Sequence, residues 1–125
     1  MSLKLDIDFA AMFRNDDRVC SVDAGTVIFK EGDLGDCLYV ILDGEVDIRV
    51  HDHHVWRLKA GEIFGEMALV EARPRSALAV AHTRCRLVPV DERRFLFLVS
   101  ETPYFALGLL RLLASRLRAM DDTVS

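Results

Sequence analysis

Cysteine is scarce in this 125-residue chain: Cys20, Cys37 and Cys85 lie far apart, odd in number and without the paired spacing of a metal site. A disulfide-stapled scaffold and a structural zinc module are thereby excluded, and isolated thiols of this kind point to a reducing compartment, the cytoplasm. Positive charge is also short. Sixteen Lys and Arg stand against 20 Asp and Glu, a formal net charge of −4, which gives no reason to expect a nucleic-acid-binding surface or a DNA-binding domain. No apolar run approaches the roughly 20 residues of a membrane span, and the N-terminus lacks the apolar stretch of a signal peptide. There is no internal repeat, low-complexity tract or long linker. What is present is a length that suits one domain and a composition 51% hydrophobic, enough to bury a core.

The apolar pattern is β-like over most of the chain. Val27 and Phe29 flank Ile28; Leu38, Val40 and Leu42 alternate with Tyr39 and Ile41; Val46, Ile48 and Val50 alternate with Glu45, Asp47 and Arg49. Such period-2 patterning predicts strands with one buried face. Asp43-Gly44 predicts a two-residue hairpin turn, and a second reversal at 51–54 leads into Val55-Trp56-Arg57-Leu58. Ala77, Ala79 and Ala81 alternate with Leu78 and Val80, and 85–90 adds a further strand. Many short strands at close spacing suggest an antiparallel roll or barrel. Residues 1–17 read as a short arm or helix anchored by Phe9, Met12 and Phe13, ahead of a domain over 18–125. Near the end the period becomes helical. Asp91 is placed to cap a helix running to Val99; Phe105, Leu109, Leu112, Leu113, Leu117 and Met120 then recur at helical spacing after Pro103, which suits a helix start.

Residues 61–77, Gly-Glu-Ile-Phe-Gly-Glu-Met-Ala-Leu-Val-Glu-Ala-Arg-Pro-Arg-Ser-Ala, concentrate the chemistry. Gly65 lets backbone approach a ligand, and the amides that follow it, opening a helical turn, form an anion site. Arg75 adds a planar cationic fork that matches phosphate oxygens. Glu66 beside such a site is suited to accept hydrogen bonds from ribose hydroxyls. One ligand carrying a phosphate and a ribose hydroxyl close together would satisfy the whole set.

Phe64-Gly65-Glu66-Met67-Ala68-Leu69 followed by Pro74-Arg75-Ser76-Ala77 resembles the phosphate-binding cassette of the cyclic nucleotide-binding domain family, found in catabolite-activator-type regulators, protein kinase A regulatory subunits and nucleotide-gated channels. Upstream, 25–33 and 38–46 resemble the family's early roll strands, so that the likeness covers roughly 18–120. The resemblance implies an α+β fold: an antiparallel β-roll (a double-stranded β-helix, jelly-roll-like) of about eight strands, with flanking helices and a C-terminal lid helix. It implies a regulatory sensor that binds cyclic AMP in preference to cyclic GMP and moves its C-terminal helix on binding. Glu66 would take the ribose 2′-hydroxyl; Phe64, Gly65, Met67 and Ala68 belong to the same cassette, the amides of the last three serving ribose and phosphate. Arg75, Ser76 and the Ala77 amide would hold the phosphate. Two departures stand out, a short loop after residue 50 and Leu78 where the family often has threonine.

Rival readings are weaker. His51, His53 and His54 suggest a cupin-like metal set, but the first acidic residue after them, Glu62, lies too far along, so they read as exposed turn residues. Ser76 sits in no nucleophile elbow and has no evident base. Arg73 reads as a solvated loop charge. No catalytic residue, metal or catalytic cofactor is expected, and the chain is not read as an enzyme. A non-binding structural module, or a homodimer through the leucine-rich terminal helix, remains the alternative.

Overall fold

In a computed structural model that describes residues 8–50 and 54–124, the strands form two four-stranded antiparallel sheets. The elements are α1 (Phe9–Phe13), β1 (Cys20–Val22), β2 (Val27–Phe29), β3 (Cys37–Asp43), β4 (Val46–Val50), β5 (His54–Leu58), β6 (Ile63–Phe64), α2 (Met67–Val70), β7 (Leu78–Ala81), β8 (Cys85–Asp91), α3 (Glu92–Glu101) and α4 (Pro103–Val124). One sheet runs β1-β8-β3-β6 and the other β2-β7-β4-β5, the eight-strand roll with helices expected from the sequence. The chain divides into two compact units, residues 8–92 holding the roll and residues from 93 onward holding almost all of α3 and α4.

Alternation explains which side chains fill the roll. Phe29, Ile41, Val46, Phe64, Ala79, Ala81, Cys85 and Leu87 form its core, with Tyr39, Ile48 and Leu58 packed against them. Burial of each large side chain contributes about 1.5–3 kcal/mol. β3 is buried on both faces, because α1 packs on it. Asp8 starts α1, its Oδ1 accepting from the amides of Ala10 and Ala11 at 3.0 and 3.3 Å. Phe9 and Phe13 are buried as expected of anchors, whereas Met12 remains 38% exposed.

Two sequence expectations are corrected. Asp43-Gly44 does not close a hairpin: β3 and β4 belong to different sheets, so the turn is a corner between them. Gly44 adopts φ +93 there, and a Cβ would lie 2.8 Å from the Cys85 sulfur. The true hairpin joins β4 to β5 in the register Val46↔Leu58 to Val50↔His54; its tip, with His51 and His53, lies outside the described residues. Asp47, placed by its alternation on the polar face, is only 4% exposed. Its carboxylate accepts from Arg57 Nε at 2.8 Å and Nη2 at 3.3 Å, with His82 Nδ1 3.5 Å away. The Arg57 hydrogen bond holds the Asp47 carboxyl below its ordinary range.

Candidate functional site

β6 ends at Phe64 and the chain turns immediately at Gly65, whose φ of +78 is open to glycine but strained for other residues. Space makes the same demand: a Cβ on Gly65 would lie 2.6 Å from Arg75 Nη1. Glu66 follows in helical geometry as the N-cap of the single turn α2, and it is only 6% exposed. Within that turn the Ala68 amide reaches the Gly65 carbonyl at a long 3.4 Å, and the amides of Leu69 and Val70 bond to Glu66 O at 3.0 Å. The first amides of the turn have no intrahelical acceptor one turn back, the property that makes such a turn suited to an anion.

The return from α2 passes Ala72, at φ 52, and brings Arg75 back against the roll. Main-chain bonds fix it there: Arg75 N donates to Asp33 O at 2.8 Å and Gly32 N donates to Arg75 O at 2.8 Å. The residue as a whole is 6% exposed. Its Nη1 donates to Gly65 O at 2.8 Å, its Nη2 donates to Cys37 O at 2.7 Å and lies 3.8 Å from the Cys37 sulfur. The Phe29 ring lies under the guanidinium, 4.2 Å from Cζ to centroid, with Tyr39 at 5.8 Å. These partners are neutral. Burial pushes the Cys37 thiol up, and burial followed by the hydrogen bond to Cys37 pushes Tyr39 up to about 12, so both remain protonated beside the cation near neutral pH. A permanent charge this deeply buried is costly unless an opposite charge compensates it.

The sequence-predicted residues therefore converge on one place. Arg75 reaches Gly65 across the turn, with Glu66 buried next to Gly65 in the chain; Ala68 and Ala77 are buried too, while Met67 and Ser76 are exposed. Phe64 is 1% exposed and stacks with Tyr39 at 5.2 Å between centroids, so its side chain belongs to the core beneath the cassette. Arg73 is solvated, 76% exposed and 3.5 Å from Glu71, as its loop position suggested. Sequence reasoning did not identify the holders of Arg75, namely Phe29, Cys37, Tyr39 and Gly35. Their only trace was the glycine-rich loop Glu31-Gly32-Asp33-Leu34-Gly35-Asp36. Among the described residues no cluster of His, Cys, Asp and Glu could hold a metal ion, and no single helix is long and apolar enough to cross a membrane.

Residues 19–102 match the family model described as the cyclic nucleotide-binding domain. A cyclic nucleotide-gated potassium channel of Rhizobium etli is 41% identical over 85 residues, covering 68% of this chain and 24% of the channel. The cyclic AMP receptor protein of Thermus thermophilus is 39% identical over 102 residues, covering 78% of this chain and 47% of the receptor. The crystal structure of the Thermus thermophilus catabolite activator protein superimposes with a TM-score of 0.78 at 34% identity, over 95% of this chain and 57% of that one. The chain thus spans less than half the length of the two curated relatives.

Proposed function

The chain belongs to the cyclic nucleotide-binding domain family, and from that premise we propose that it is a regulatory sensor module that binds cyclic AMP reversibly. The observation that carries the reading is Arg75: a residue 6% exposed, its guanidinium held by neutral carbonyls and ring faces, near the opening amides of a helical turn. That setting suits a single phosphate, which would supply the missing negative charge to the remaining N–H donors of the fork. Buried Glu66 beside it would accept the ribose 2′-hydroxyl, and the amides of Gly65, Met67 and Ala68 would complete the cradle with Ser76 and Ala77. Cyclic AMP is preferred to cyclic GMP because the Thermus relative is named for it. No bond is made or broken in this role, and none of these groups is assigned a catalytic part.

Binding would be read out by the C-terminal helix, provided the ligand has different affinity for two arrangements of α4. A second reading of α4 rests on its own surface. Leu107, Leu110 and Leu117 are 37%, 63% and 61% exposed. With exposed Ala114 they follow the 3-4-3 spacing of a coiled-coil seam. A homodimer through this seam is compatible with the sensor role and is the substance of the non-binding alternative. Calorimetric titration of nucleotide-stripped protein with cyclic AMP and cyclic GMP tests the reading: saturable binding, tighter for cyclic AMP, is expected. Absence of binding to either would leave the dimerisation module as the better account.

A further inference from the structure

The Arg75 guanidinium occupies a tightly bounded slot. Gly65 and Gly35 both press on it: a Cβ on Gly65 would be 2.6 Å from Nη1, and a Cβ on Gly35 would overlap Nε and Cζ. One face rests on the Phe29 ring, 4.2 Å away. That ring is itself fixed, 8% exposed and clustered with Phe64 at 5.9 Å and Tyr39 at 6.3 Å between centroids. The two carbonyls on Nη1 and Nη2 hold the edge of the fork. A long side chain ordinarily loses rotamer freedom when it clamps a ligand; here that ordering is already done by the fold.

We propose that Phe29 is a positioning residue for anion binding through Arg75: its ring face, with the side-chain-free Gly35 leaving room, presents the guanidinium in its working orientation. The ring's negative face attracts the cation directly, and the attraction is strongest in a desolvated setting such as this one. The inference rests on the proposed phosphate role of Arg75 and adds a residue some 46 positions upstream that touches no ligand itself.

The test replaces Phe29, in the full chain, by phenylalanine carrying one, two and three fluorines, which weakens the ring's negative face while nearly preserving its shape. Phe13, a buried ring on α1, receives the same series as a packing control. Cyclic AMP affinity is measured by calorimetry, with cyclic GMP alongside. The dissociation constant should rise stepwise across the Phe29 series, by about threefold to thirtyfold in all, and stay level across the Phe13 series. Gly35→Ala, whose Cβ would overlap Arg75 Nε and so intrude on the guanidinium, should weaken binding by about tenfold or more, the worth of one lost charged contact. A level or falling Phe29 trend in a wild-type protein that binds would overturn the positioning role and leave Arg75 itself untouched; a parallel rise at Phe13 would overturn it as general core loosening. Failure of the wild type to bind either nucleotide would overturn the sensor reading and this inference together.

Discussion

Arg75→Ala should remove almost all cyclic nucleotide binding. Arg75 is 6% exposed and the partners of its guanidinium in the fold are neutral, so a bound phosphate would be its principal opposite charge. Truncating one member of a desolvated charge pair costs about 2–5 kcal/mol, which is about 30-fold to several thousand-fold in affinity. The same side chain also caps two carbonyls, Gly65 O and Cys37 O. Leaving either without a donor costs about 1–3 kcal/mol unless water enters, so the variant should be less stable as well as unable to bind. Titration must therefore be done where circular dichroism shows the variant folded. Arg75→Lys separates charge from shape: it keeps the cation but not the planar fork, and should bind between wild type and Arg75→Ala. If folded Arg75→Ala binds cyclic AMP with the wild-type dissociation constant, the phosphate does not sit on Arg75 and the electrostatic reasoning fails.

Glu66→Ala should weaken binding by about 1.5–3 kcal/mol, the worth of a hydrogen bond to a charged group. That loss should largely vanish for a 2′-deoxy cyclic nucleotide; full additivity in the four-way comparison would detach the carboxylate from that hydroxyl. Deleting 104–125 should weaken nucleotide binding while the roll still folds, and should convert any dimer to monomer in sedimentation; unchanged affinity would remove the lid. Asp47 carries an acid-stability signature. Its folded-state carboxyl titrates below the ordinary value of 3.8 because Arg57 bonds to it, so its contribution is present above about that pH and is lost as pH falls through the lowered value. Asp47→Asn should therefore flatten the acid limb of the stability curve below the ordinary carboxyl value of 3.8. An identical acid limb in mutant and wild type would show that the pair adds nothing to folding.

The cassette was legible because its chemistry is local. Gly65, Glu66 and Arg75 lie within eleven consecutive residues, so their residue types and spacing can be read together, with a strand end and a positive-φ glycine setting the turn between them. Strand patterning was legible for the same reason, since alternation records which face of each strand meets the core. What depended on tertiary structure is non-local. Asp43-Gly44 has the chemistry of a turn, but turn chemistry cannot say whether the next strand pairs with the last one or crosses to the facing sheet. Asp47 looks like any outward carboxylate until the cross-strand pairing brings Arg57 to it and β7 delivers His82. Arg75 is recognisable by its register alone. Its ring platform, its room and one of its two carbonyl partners come from Phe29, Gly35 and Cys37, 38 to 46 residues earlier, and closing that separation is the work of the whole roll.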